Sequence, residues 1–186
     1  YAETRPGTGK TIKRILTQMK GLRLFLFFLL AVILVVAGMT FLLPVQQKIE
    51  RTVIINAPAS VVFNELKKLE NFNRYSVWGQ HDSSVTYSIQ GKDGTAGAST
   101  SWKGDPSVSG EGSISITELI ADRKVSHSID FIAPRKGNAS SVFNINQKEE
   151  ELTEVEWLIT ISTPRPKNIF NLFFSFEKQL GSDVEK

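Results

Sequence analysis

The sequence predicts an α+β protein: an antiparallel β-sheet of about six to seven strands, preceded by one transmembrane helix. Two observations carry this prediction. Residues 24–43 contain no charged side chain, and from residue 85 onward apolar and polar residues alternate with the period of two that half-buried strands show. The predicted organisation is a basic juxtamembrane segment over 1–23, the transmembrane helix over 24–43 and the sheet domain over 44–186.

The apolar run from Leu24 to Leu43 is long enough to cross a bilayer. At about 1.5 Å per residue, its length matches a hydrocarbon core of roughly 30 Å. A cleaved signal peptide is the alternative, but its apolar part would have about 7 to 15 residues and a small-residue cleavage site behind it. No such site follows Leu43, so we expect a retained signal anchor.

Charge predicts the orientation of this helix. Six basic residues and only one acidic residue precede the run, whereas only Lys48 and Arg51 lie just beyond it. The positive-inside bias then places the N-terminus in the cytoplasm and the sheet domain outside, as in the inner membrane of a bacterium. Apolar residues at helical spacing within residues 11–23 predict a short basic amphipathic helix at the membrane interface.

The soluble domain begins with a strand and two helices. We expect the strand over Gln47–Ile55 and a first helix from about Pro58 to Lys68, because proline is tolerated in the first turn of a helix. A second short helix is expected from about Glu70 to Tyr75. The later strands are joined by turn-rich connections, which predicts an antiparallel meander.

Two features near the end of the sequence predict helical structure. The segment after Pro166 is rich in Ile, Leu and Phe and is expected to be helical, which suits cavity lining, a lid or membrane contact. Ser182 and Glu185 have the spacing of a capping box, in which each side chain satisfies a free amide at a helix start. We therefore expect a C-terminal helix of which this sequence holds only the first turn.

Several stretches together carry a resemblance to a known family, and it covers about residues 47–186. They are Arg51–Phe63, Trp78, Gly94–Gly97 with Trp102, Gly110–Gly112 and Thr153–Trp157. With the order of elements, they resemble the START-like or Bet v 1-like superfamily (SRPBCC), in particular its polyketide cyclase/dehydrase and lipid-transport branch in a membrane-anchored form. The resemblance implies a helix-grip fold: a curved sheet whose C-terminal helix closes an apolar cavity for lipids, sterols, polyketides or similar molecules.

Residues in phase on one side of the strands are the candidates for lining that cavity. They are Tyr87, Ile89, Trp102, Ile114, Ile116, His127, Ile129, Phe131, Phe143, Ile145, Trp157 and Ile159. A solid core built from the same residues is the alternative, because periodicity does not separate the two, and the cavity expectation rests mainly on the resemblance.

Few residues suggest a catalytic, ligand-orienting or metal-binding role. His127 is the only ionisable side chain in this set; a neutral imidazole there could orient a ligand hydroxyl or carbonyl, or it could be a hydrogen-bonded core residue. His81 and Asp82 are interpreted as loop surface. Two histidines without ligand spacing and no cysteine predict no metal site and exclude a cysteine nucleophile, and we expect no cofactor.

The leading hypothesis is a membrane-tethered binding domain for a hydrophobic or lipid-like molecule, a carrier or sensor without catalysis. An accessory subunit of a membrane protein complex is one alternative. A cyclase/dehydratase-type enzyme is another, although it needs a positioned acid–base pair that the sequence does not reveal. The expected partners are the bilayer, the small molecule and possible membrane proteins. The net charge of +3, with its excess before the apolar run, favours anionic lipid over nucleic acid.

Overall fold

A computed structural model describes residues 8–75 and 80–172, with side chains described from residue 19 onward. The chain divides into two compact units, Tyr1–Leu43 and Pro44–Lys186. Trp78 and the capping-box residues Ser182 and Glu185 lie outside the described residues.

The first unit contains one long helix. Helix α1 (Thr8–Leu42) has 35 residues, so the segments expected to form an amphipathic helix and a transmembrane helix are continuous with each other. Its part from Met19 to Leu42 is long and apolar enough to cross a membrane. A signal sequence near an N-terminus has the same properties, and the helix is compatible with either.

The second unit is a seven-stranded antiparallel sheet with two short helices after its first strand, as the sequence predicts. Its elements, in chain order, are β1 (Gln46–Ile55), α2 (Ala59–Leu66), α3 (Leu69–Tyr75), β2 (Thr86–Gln90), β3 (Ser99–Lys103), β4 (Glu111–Ile120), β5 (Lys124–Ala133), β6 (Gly137–Glu149), β7 (Leu152–Ser162) and a 3-10 helix (Lys167–Leu172). The strand order is β1-β7-β6-β5-β4-β3-β2, so β2 to β7 form the predicted meander and β1 joins it beside β7.

Both helices bury the same face of the sheet, which we call the helix-covered face. In α2, Val62 and Phe63 pack with Phe143 of β6 and Val155 of β7. In α3, Leu69 and Phe72 pack in a second cluster. Its other buried members are Ala98, which directly precedes β3, and the strand residues Ile114, Ile116, Ile129 and Ala139. Burying each large apolar side chain stabilises the fold by about 1.5–3 kcal/mol, so this face holds the core of the unit.

Side chains from distant hairpins hold the starts of the two helices. The amide of Ala59 donates to Oε1 of Gln147 at 2.5 Å. The amide of Leu69 donates to Oδ1 of Asp93 at 2.7 Å, and that of Glu70 donates to Oδ2 of the same carboxylate at 3.2 Å. The first amides of a helix have no partner within it, and a negative charge there also complements the helix dipole. The helices are thus fixed to the sheet at their N-termini.

We predict that Asp93→Ala lowers the free energy of unfolding by about 1 kcal/mol, the usual cost of losing an N-terminal cap. The measurement is urea unfolding of the full chain, followed by the fluorescence of Trp102 and Trp157. Lys92→Ala is the control, because Lys92 is the exposed neighbour of Asp93. Equal unfolding midpoints for the two variants would contradict the capping role.

Candidate functional site

Strand register places all the predicted lining residues on the helix-covered face. One row of paired residues crosses β2 to β5 through Tyr87, Trp102, Gly112 and Phe131. A second row crosses β4 to β7 and β1 through Ile116, His127, Ser141, Ile159 and Ile49. Paired residues project to the same side of a sheet, so the in-phase residues of the sequence form one continuous surface.

Burial divides this surface into two parts. Most of the predicted residues are buried under or beside the helices: Ile114, Ile116, His127, Ile129, Phe143, Ile145 and Ile159, with Trp157 partly buried among them. At the β2 side, Tyr87, Trp102 and Phe131 are half-buried and Ile89 is 40% exposed. We call these four residues the open end. The covered part is packed as a core, whereas the open end has apolar surface available to a ligand.

The geometry of the open end depends on Trp102. Its indole Nε1 donates to the carbonyl of Ser109 at 3.0 Å, and its ring meets that of Phe131 edge-on, with centroids 6.0 Å apart. A Cβ atom at Gly112 would lie 2.4 Å from the Trp102 ring and 2.6 Å from the Asp130 carbonyl. Gly112 therefore gives the indole room to lie flat across β4.

His127 is a buried polar residue in apolar surroundings. It is 1% exposed, and its ring lies between Phe72 and Phe143, with centroid distances of 6.0 and 6.1 Å. Among the residues that the structure describes, neither Nδ1 nor Nε2 has a hydrogen-bond partner. Burial lowers the pKa of His127 to about 4, so the ring is neutral at pH 7 and offers one donor and one acceptor.

Other buried polar groups share the face with His127. Ser141 stands beside it in register and accepts a hydrogen bond from Trp157 Nε1 at 2.8 Å. Thr100 accepts one from Asn73 Nδ2 at 3.1 Å, while the Asn73 Oδ1 atom has no partner among the described residues. The sequence analysis missed Thr100 and Ser141 because it selected apolar in-phase residues. Their phase with Trp102 and Phe143 is the signal that would have found them.

The burial of Asp82 contradicts the expectation that both His81 and Asp82 lie on the surface of a loop. His81 is exposed, but Asp82 is only 5% exposed. Its carboxylate accepts hydrogen bonds from the amide and hydroxyl of Ser84, the amide of Asp105 and the hydroxyl of Ser109. These bonds hold the pKa of Asp82 well below its usual range. Since Ser109 also anchors Trp102, Asp82 supports the open end from a distance.

A separate groove lies where the β4–β5 turn approaches the start of α2. Its volume is about 1130 Å³, and Ile145 is the one predicted lining residue that borders it. Its other borders include Ser60, Asp122, Arg123 and Lys124. The described part of the chain holds no group of three or more His, Asp or Glu side chains that could bind a metal.

The comparisons with known proteins identify the fold. No protein-family model and no curated protein matches the sequence. A point mutant of Thalictrum flavum norcoclaurine synthase, solved with a transition-state analogue, superposes with a TM-score of 0.59 and 8% identity, over 76% of this chain and 91% of that chain. A Thermobifida fusca protein solved by NMR superposes with a TM-score of 0.50 and 15% identity, over 74% and 84% of the two chains. At these identities the likeness establishes the helix-grip, Bet v 1-like fold.

We predict that Gly112→Ala destabilises the domain by about 1–3 kcal/mol, the usual cost of overpacking a filled site. The new methyl group would meet both the indole of Trp102 and a backbone carbonyl, so the ring must leave its place. Urea unfolding followed by tryptophan fluorescence measures the loss. Gly137→Ala is the matched control, because the nearest atom to a Cβ there is 4.0 Å away; an equal effect in both variants would refute the packing argument.

We predict that acid destabilises the fold through His127. Its pKa is about 4 when folded and 6.5 when unfolded, so in this window the unfolded chain binds a proton that the folded chain does not. The free energy of unfolding should therefore fall by roughly 3 kcal/mol as the pH drops from 6.5 to 4. His127→Leu should flatten the dependence in this range, as measured by urea unfolding at several pH values.

His81→Leu is the matched control for that experiment, because His81 is the other histidine of the chain and is exposed. It should leave the pH dependence unchanged. Asp82 acts in a different window: its folded pKa is lowered from 3.8, so its contribution is lost only as the pH falls below that value. A wild-type profile that is flat between pH 6.5 and 4 would disprove the burial of a neutral His127.

Proposed function

We propose that this helix-grip protein is a membrane-tethered binding domain for a hydrophobic, lipid-like small molecule, acting as a carrier or sensor without catalysis. We further propose that it belongs to the polyketide cyclase/dehydrase and lipid-transport branch of the SRPBCC superfamily, in a membrane-anchored form. The observation that carries the proposal is His127, a neutral side chain on an otherwise mainly apolar face, whose two ring nitrogens find no hydrogen-bond partner in residues 8–75 and 80–172.

The chemistry of the helix-covered face supports an apolar ligand with a single polar end. The open end offers the rings of Tyr87, Trp102 and Phe131 to an apolar body. His127 lies four residues from Phe131 along β5, or about 13 Å at roughly 3.3 Å per residue, which is the scale of a lipid-like molecule. Because His127 is 1% exposed, the ligand's hydroxyl or carbonyl can reach it only after Phe72 of α3 moves aside.

The cost of leaving His127 without partners supports a binding role. A buried polar group that lacks a hydrogen bond costs roughly 1–3 kcal/mol, and a leucine of similar size would avoid that cost. A ligand hydroxyl or carbonyl that pairs with the ring would recover part of this energy on binding. The same imidazole has no acid or base within hydrogen-bond distance among the described residues, which favours binding over acid–base catalysis.

Helix α1 supports the tether. The segment from Met19 to Leu42 has the length and composition of a membrane span. Basic residues dominate before it, which favours a cytoplasmic N-terminus and a domain outside the cytoplasm. A ligand with little solubility in water would then be bound close to the bilayer in which it dissolves.

We predict that the full chain, purified in mild detergent, carries a defined hydrophobic molecule detectable by native mass spectrometry and lipid extraction. In His127→Leu the fraction of protein that carries the molecule should fall, because its affinity becomes about tenfold weaker. This factor corresponds to the loss of one buried hydrogen bond of about 1.4 kcal/mol. His81→Leu should retain the molecule at the wild-type level. Circular dichroism of each variant checks that the sheet is intact.

Two results would count against the proposal. A folded chain that carries no hydrophobic mass would favour an accessory subunit of a membrane complex instead. A bound molecule that His127→Leu retains fully would place the ligand away from the helix-covered face, with the groove beside Arg123 as the next location to test.

A further inference from the structure

We propose that the 3-10 helix Lys167–Leu172 is a second membrane contact, through which the sheet domain touches the surface of the bilayer that α1 crosses. This inference rests on the proposed tether. It assigns a partner, a lipid surface, to a segment for which the sequence left three roles open.

The 3-10 helix exposes its apolar side chains. Phe170 is 58% exposed and Leu172 is 50% exposed, whereas the polar Asn168 is fully buried. Burial of large apolar side chains is favourable and an asparagine normally remains in water, so this distribution is the reverse of that at an ordinary water-facing turn. The exposed side of the segment is suited to an apolar or interfacial environment.

Contacts within the sheet domain hold this segment beside its first residue. Asn171 Nδ2 donates to the carbonyl of Pro44 at 3.2 Å, and the amide of Thr163 donates to the carbonyl of Val45 at 2.8 Å. Because β1 pairs with β7 from Gln46 and Ser162 onward, the exit from β7 necessarily returns to the entry of β1. Phe170 and Leu172 therefore flank a residue that touches Pro44.

Covalent geometry places Pro44 close to the membrane. Helix α1 ends at Leu42, and two further residues span at most about 7 Å. The headgroup region on each side of the hydrocarbon core is itself roughly 5–7 Å deep. If α1 crosses the bilayer, Pro44 lies in or just above this region, and the exposed ring of Phe170 can reach it.

The charges near Pro44 also suit a lipid surface. Residues 43–49 and 163–172 contain the cations Lys48, Arg165 and Lys167 and no acidic residue. Basic side chains near a membrane are attracted to anionic headgroups, and aromatic rings beside them insert at the interface. A bilayer with anionic headgroups can take up both the apolar and the basic groups at this end of the domain. A partner protein with a basic or purely apolar surface would leave the basic groups without a counter-charge.

Site-directed spin labelling tests the proposal, because the chain has no cysteine and each engineered cysteine is the single label site. Phe170→Cys, Leu34→Cys and Ile54→Cys are labelled in the full chain in vesicles of phosphatidylcholine and phosphatidylglycerol. Leu34 lies within α1. Ile54 is 51% exposed and lies near the end of β1 that is farther from Pro44. Collision rates with oxygen, which concentrates in lipid, and with a water-soluble nickel chelate report the surroundings of each label.

We expect the ratio of oxygen to nickel collisions at position 170 to be several-fold higher than at 54 and lower than at 34. Adding Lys167→Glu should reduce the ratio at 170 and leave the ratio at 34 unchanged. A high ratio at 34 with frequent nickel collisions at 170 would overturn the second contact alone. Few collisions of either kind at 170 would also overturn it, because protein would then cover the segment. Frequent nickel collisions at position 34 would contradict both the proposed tether and the proposed second contact.

Discussion

The whole domain depends on how two short helices cover one apolar face of a seven-stranded sheet. At 1.5 Å per residue, α2 and α3 are about 12 and 10 Å long, and each is about 10 Å wide. The sheet is about 30 Å across its strands, and a ten-residue strand such as β5 is about 33 Å long. The helices therefore cover roughly a quarter of the face. Within the described residues, apolar surface remains exposed at the β2 side, where Ile89 is 40% exposed.

The sequence predicts the fold well because alternation is a local signal. The strands after residue 85, the two helices and the meander all follow from periodicity and turn residues. What it missed depends on distant partners: Asp93 holds the start of α3 from 24 residues away, and Asp82 is buried by a turn that contains Ser109. In the sequence, Asp93 and Asp82 look like ordinary aspartates in loops. Neither charge nor spacing distinguishes a helix-capping side chain from a solvated one.

The candidate site shows the same contrast between features that follow from a local pattern and features that depend on distant contacts. Phase assigned His127 to the same side as the apolar residues of β5, and the strand register has it on the helix-covered face. Phase alone did not tell whether its ring nitrogens have partners, since that depends on Phe72 and Phe143 meeting the ring from α3 and β6. Folded proteins satisfy most of their buried polar groups, and the exceptions concentrate at functional sites. An imidazole that has no partner in the described part of the chain is thus more informative about function than the apolar residues around it.

The neutral state of His127 also restricts the chemistry of the proposed ligand. An ionised group brought beside a neutral imidazole in apolar surroundings would lose its hydration without gaining a counter-ion, which is costly. A hydroxyl or carbonyl loses less and can pair with one ring nitrogen. A carboxylate would bind only together with a proton on the ring, and the lowered pKa of His127 opposes that proton at neutral pH. The proposed site would therefore favour uncharged lipid-like molecules over fatty-acid anions.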